Sequence, residues 1–363
     1  MSTPCIFRRL RGAGLNAGFL ARRFVGRRFV ERRFVERRFV GRRAWPAAGL
    51  AAAAVVLAAC GGARRDDSAQ SPRALLAAAG ETTPAQTALD VLRADRDFAR
   101  RVSAASFPEA LRAGFLPGVM MPVPPTRIVA GVDSVLAAFA SSPDAGGRMT
   151  WTPVRAGVSG DGTHAYTVGM GSVRRTDGTR SQFKYLSYWI REGEGWRVAA
   201  WRRRPVDTNV VLDSTMLTPL LPARALTAAE AASAARDVAA HRQSLMAAEQ
   251  GFSDLAQRIG VGAAFAEMGD EQAVNVGPSS LGRFVLGPRA IALAVSGNQP
   301  LTAPSAITWN ADTALVAPSG DLGITFGVIR PKQPPADNPN AGASFFTIWR
   351  RSSPNAPWRY VAE

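Results

Sequence analysis

From Thr83 onward the apolar positions of the chain recur first at helical and then at strand spacing. Thr83 has the side-chain oxygen of an N-cap, and Pro84 suits a first helical turn. Behind them Ala88, Val91, Leu92, Asp95, Phe98, Ala99 and Val102 fall on one face, which predicts a helix carrying an acid in its apolar stripe. Shorter patterns predict a helix over residues 108–115, extended chain over 118–123 and a helix over 132–141. The period then changes to two. Residues 149–158, 163–174, 180–191 and 196–203 read as strands, separated by the turn signals Asp161-Gly162, Asp177-Gly178 and Gly193-Glu194-Gly195. Helices followed by a four-stranded antiparallel meander predict an α+β fold.

Residues 205–227 hold three prolines and no clear period, so they read as a linker. The pattern then returns. A long helix is expected over 228–259, with Leu245, Ala248, Glu249, Phe252, Leu255, Ala256 and Ile259 on one face. A short helix over 262–268, a strand over 272–276, a helix over 288–295 and strands to residue 363 complete it. The two strand regions correspond in detail. Trp151 matches Trp309, Ser159-Gly160-Asp161 matches Ser319-Gly320-Asp321, Trp189 matches Trp349, and Trp196-Arg197-Val198 matches Trp358-Arg359-Tyr360. An internal duplication is the simplest account, with domains at 85–204 and 228–363. An insertion over 331–343, rich in Pro and Asn, is expected to be a mobile hairpin loop.

The first 59 residues have a different character. A five-residue repeat, Phe-Val/Leu-X-Arg-Arg, runs over 19–43 and fits neither helix nor strand periodicity. It reads as an overlong basic n-region, and a start at Val40 would leave a signal of ordinary length. An apolar run over 44–59 follows, shorter than the about 20 residues that span a bilayer. It ends in Leu57-Ala58-Ala59-Cys60, which resembles the lipobox of bacterial lipoproteins. That resemblance implies acylation of Cys60 as the mature N-terminus, a flexible tether over 60–84 and export. The protein would then be held in the lipid membrane on the outer side of the cytoplasmic membrane, or in the outer membrane if the cell is Gram-negative. This changes the reading of charge. The chain carries +16, but residues 1–59 hold 13 Arg against 2 Glu, leaving +5 for the rest, so no nucleic-acid partner is expected of the mature chain. With Cys5 removed and Cys60 lipidated, no disulfide or cysteine metal site is available within it.

Each half resembles the nuclear transport factor 2-like superfamily, which includes ketosteroid isomerase and the SnoaL-like proteins, and is most similar to its bacterial domain-of-unknown-function branch. The resemblance rests on an acid three residues before Phe in the long helix (Asp95 and Phe98, Glu249 and Phe252), on the Ser-Gly-Asp hairpin and on the Trp-Arg of the last strand. It implies two tandem cone-shaped domains, each with helices packed on a strongly curved, mostly antiparallel sheet around a pocket.

Asp95 and Glu249 are pocket acids with raised pKa, or ion-pair partners of arginines from the sheet, or residues at the exposed edge of the helix face. Where the second half has Leu322, Ile324, Phe345 and Ile348, the first has His164, Tyr166, Tyr185 and Tyr188. A pocket joining Asp95, His164 and Tyr166 is the candidate for acid–base chemistry, with Tyr185, Tyr188 and Glu249 as candidate ligand contacts. His241 is expected near the surface. Two histidines leave little for a zinc site, and there is no phosphate loop, dinucleotide turn or nucleophile elbow, so no metal or cofactor is expected. The favoured function is binding of a small apolar or amphipathic ligand, or a protein partner, without catalysis. An isomerase or dehydratase acting through the first domain is the alternative. A scaffold, with sheet faces pairing between domains or in a homodimer, is a third reading.

Overall fold

The computed structural model describes residues 82–363, apart from 105, 106 and 194. The basic repeat, the apolar run, Cys60 and the tether up to residue 81 lie outside the described residues. Helix α1 (Pro84–Ala104) buries Ala88, Val91, Leu92, Asp95, Phe98, Ala99 and Val102, the stripe expected from spacing, together with Thr87. Its first turn is held by the Gln86 N–H donating to Thr83 Oγ1 at 3.2 Å. Then come α2 (Phe107–Gly114), β1 (Phe115–Val123), β2 (Arg127–Ala130) and α3 (Val132–Ala140). The meander is β3 (Arg148–Val158), β4 (His164–Arg174), β5 (Arg180–Glu192) and β6 (Gly195–Val206). One pairing was not visible in the pattern: β1 runs parallel to β6, giving a six-stranded mixed sheet of order β2-β1-β6-β5-β4-β3. A parallel partner distant in sequence leaves no hairpin signal.

The second half repeats this order. It contains α4 (Ala228–Ala234), α5 (Val238–Ile259), α6 (Val261–Met268), β7 (Gly269–Asn275), β8 (Val285–Leu286), α7 (Pro288–Ser296), β9 (Ile307–Val316), β10 (Leu322–Pro331), β11 (Ala343–Arg350) and β12 (Arg359–Ala362). Its sheet runs β8-β7-β12-β11-β10-β9. The expected single helix over 228–259 is broken by a tighter turn at Ala235–Asp237. Thr227 and Glu230 start α4 with a reciprocal capping box, but α4 buries no side chain, so no packing holds it in line with α5.

Each sheet packs its helices on one face, giving an aromatic core in each half. The opposite faces meet in one shared layer, where Val154, Tyr166, Leu186 and Tyr188 pack with Leu322, Ile324, Phe346 and Ile348. Buried polar groups cross this seam. Lys184 Nζ donates to the Leu281 and Arg283 carbonyls at 2.8 and 3.1 Å, and Arg155 Nη1 to the Gln272 carbonyl at 2.5 Å. The Ser-Gly-Asp hairpins exchange bonds: the Gly160 N–H donates to Asp321 Oδ2 and the Ser319 N–H to Asp161 Oδ2, each at 2.8 Å. Within the connecting segment, Leu220 is buried and bridges to Gly157 of β3. Among the described residues no helix is long and apolar enough to cross a membrane.

Candidate ligand site

In the first half Asp95 is 1% exposed. Its Oδ1 accepts from Trp151 Nε1 at 2.7 Å, and its Oδ2 accepts from the Thr167 and Tyr185 hydroxyls at 2.7 and 2.8 Å. Burial raises its pKa, and the three donors pull it back. The carboxyl therefore works as a clasp between α1 and strands β3 to β5. Around it the space is filled. Trp201 lies 5.8, 5.7 and 5.6 Å from the rings of Phe115, Trp151 and Phe139, and Phe98 lies 5.2 Å from Trp151. Arg203 caps this stack over Phe139, Phe183 and Trp201 and pairs with Asp144 at 3.1 Å.

The expected meeting of Asp95 with His164 and Tyr166 does not occur. Side chains alternate along β4, so Thr167 faces Asp95 while Tyr166 and His164 face the other sheet. His164 Nδ1 lies 2.9 Å from the Tyr188 hydroxyl. Burial holds the His164 pKa down to about 4, with Asp161 pulling it up, so the ring is neutral at pH 7. Tyr185 is committed to Asp95 and Tyr188 to His164. His241 is also not where it was expected. It is 8% exposed, its Nδ1 lies 3.0 Å from Arg351 Nη2, and its ring fits over Gly320, which has no side chain to exclude it.

The second half differs where it matters. Glu249 is fully buried and accepts from Trp309 Nε1 at 2.7 Å, the Thr325 hydroxyl at 2.6 Å and Trp349 Nε1 at 3.1 Å. Its pKa is raised by burial against those three donors. Phe345 stands at the place of Tyr185, and the longer Glu compensates for the missing hydroxyl. Beside Glu249 lies a cavity of about 140 Å³, walled by Phe252, Phe265, Ile307, Trp309 and Phe345. The strand registers explain why it is open. Tyr188 pairs with Ala200 in the first sheet and Ile348 with Ala362 in the second, so the next residues, Trp201 and Glu363, occupy matching places. Helices α3 and α7 both start after a glycine with φ near +80° to +90°, which matches Phe139 with Val295. Two rings that fill the first half are thus replaced by Glu363 and Val295, and both line the cavity. Val295 is 37% exposed and marks the way in.

Glu363 gives this cavity its chemistry. Burial pushes its carboxyl up to about 7, Glu249 adds to the rise, and Arg202 and Arg204 oppose it. Its Oε2 is buried without a hydrogen-bond partner among the described residues. Near neutral pH such a group either donates or accepts a hydrogen bond. The volume is close to the ~150 Å³ of an apolar cavity that admits benzene, so a single ring fits. Among the described residues no group of three or more His, Cys, Asp or Glu is placed to hold a metal. Sequence reasoning named Glu249 and missed Glu363. The signal was present: extending the match of Trp196-Arg197-Val198 with Trp358-Arg359-Tyr360 by three residues pairs Trp201 with Glu363.

No family model matches this chain, and no curated protein matches it. Solved structures resemble about a third of it. A putative aromatic ring hydroxylase from Novosphingobium aromaticivorans is 15% identical, over 33% of this chain and 88% of its own, with a TM-score of 0.28. An NTF-2-like protein of unknown function from Shewanella oneidensis is 14% identical over 33% and 98%, with a TM-score of 0.26. A ketosteroid isomerase-like protein from Erwinia carotovora is 14% identical over 34% and 98%, with a TM-score of 0.29.

Proposed function

We propose that this chain is a membrane-anchored, cell-envelope ligand-binding protein made of two nuclear transport factor 2-like domains, and that its second domain takes a small ring-bearing apolar or amphipathic ligand. The observation that carries this is the cavity of about 140 Å³ closed by an unpartnered, buried Glu363 oxygen. The ligand has one hydrogen-bonding group, placed against Glu363, and an apolar body among Phe252, Trp309 and Phe345. The first domain, its core filled by Trp201 and Phe139, serves as scaffold. The common strand order of the two sheets supports descent of both halves from one duplicated cone-shaped unit. Anchoring rests on the sequence around Cys60.

Titration with phenol, followed by isothermal calorimetry, tests the binding role. Saturable binding that Glu363→Trp abolishes, with the fold retained by circular dichroism, supports it. Binding indifferent to that substitution sinks it. A second reading is favoured by the Glu363 pKa near 7, which suits proton abstraction next to a carbonyl. In that reading cyclohexanone in D2O takes up deuterium faster with the protein than with the Glu363→Gln variant.

A further inference from the structure

A second pocket, of about 320 Å³, opens where the two sheets meet, beside the Ser-Gly-Asp hairpins. Its apolar walls are Val158 from the first sheet, Leu322 from the second and Leu220 from the segment that joins the halves. Tyr166 also lines it. The Tyr166 ring lies over Gly157, its partner across β3, where any Cβ would collide with it. The residue is 0% exposed, and its hydroxyl has no hydrogen-bond partner among the described residues, although the Arg155 guanidinium is near enough to act on it electrostatically. The matching place in the second sheet is Ile324, equally buried, so the fold does not need a hydroxyl there. Leaving one unpaired in such a layer costs about 1–3 kcal/mol. Three arginines line the same pocket. Arg350 is tied by Nε to Asp270 at 2.7 Å and by Nη1 to the Leu221 carbonyl at 3.3 Å. Arg351 and Arg359 bring the lining to three guanidinium groups against the two carboxyls of Asp270 and Asp321.

We propose that this seam pocket binds a small organic monocarboxylate, its carboxylate taken by the Tyr166 hydroxyl and the Arg350 guanidinium and its apolar body by Val158, Leu220 and Leu322. A hydroxyl and a guanidinium both donate to an anion, the excess of guanidinium groups favours negative charge, and the apolar walls select a hydrophobic body. The volume is more than twice that of the Glu363 cavity, so a two-ring acid fits here and not there. Because the walls come from both sheets, a bound acid ties the halves together.

The test is a titration of the full chain with 2-naphthoate, read on the 13C signals of tyrosines labelled at Cζ. The chain has four tyrosines, and Tyr166→Phe assigns the signal. The expected result is a saturable shift of the Tyr166 signal, binding at least tenfold weaker in Tyr166→Phe, and no binding of 2-naphthylamine. Tyr166→Phe removes only the unpaired hydroxyl, so its Tm is expected at or above that of the parent. Arg350→Gln reads the same contact independently and is expected to weaken binding as much. A Tyr166 signal that does not move overturns the proposal. So does equal affinity of Tyr166→Phe, or equal binding of the amine.

Discussion

At the scale of the residue, the buried carboxyls divide into two kinds. Asp95 and Glu249 have three donors each and act as structural acceptors. Asp95→Ala would strand the Trp151, Thr167 and Tyr185 donors, and a loss of at least about 3 kcal/mol in chemical denaturation is expected. Glu363 has an oxygen without a partner, and its pKa near 7 stands above the ordinary 4.5. A raised pKa stabilises the fold while the group is protonated. That stability is complete below pH 4.5 and is lost as pH rises through 7, by up to about 3 kcal/mol. The Tm of Glu363→Gln relative to the parent should therefore climb between pH 5 and pH 8; a flat difference would refute the burial of this carboxyl. His164 titrates in the opposite sense. Its depressed pKa, about 4, arises from burial, and the group facing it is Tyr188, with Asp161 nearby. Its NMR titration is expected well below pH 6, and Asp95→Asn should leave it unmoved because the two lie on opposite faces of β4.

At the scale of the element, most of the fold could be read from spacing. The stripe of α1 and the strands β3 to β6 follow from one residue's relation to its near neighbours, and those are the relations that periodicity reports. Three features did not follow. The parallel joining of β1 to β6 depends on a distant partner. The break before α5 depends on whether α4 has anything to pack against. The facing of His164 and Tyr166 depends on which side of the sheet each half turns toward its own helices and which toward the other half. The expectation used the burial of Leu322 and Ile324, which holds, but both bury against the other sheet rather than their own helices. The candidate site was legible in part for the same reason: Glu249 announces itself on an apolar helix face, whereas Glu363 gains meaning only beside Trp201. The Ser-Gly-Asp hairpins, read in the sequence as a mark of repetition, prove to be contacts between the halves. Asp321→Ala removes the acceptor of the Gly160 N–H and of the Ser319 hydroxyl. A loss of about 1–3 kcal/mol is expected, against a few tenths for Asp97→Ala in its exposed pair with Arg100. Equal effects would mean that the hairpin exchange contributes nothing.

At the scale of the whole molecule, one strand order is used twice with different fillings. The first half closes its helix-side core with tryptophan and phenylalanine rings, and the second leaves that volume open beside a titratable carboxyl. The sheets share their remaining faces, so the open half is backed by a filled one. This is the rigid support a ligand site needs. The proposed lipid anchor at Cys60 is tested at this scale as well. Labelling cells with an alkyne fatty acid should mark the parent and not Cys60→Ala, and an unlabelled parent would refute acylation at Cys60. A crystal structure under xenon pressure would show whether the second half is open where the first is filled. Xenon is expected between Phe252, Ile307, Trp309 and Phe345 and not among Phe98, Phe139 and Trp201. Xenon missing from the second half, or present equally in the first, would contradict that difference between the halves.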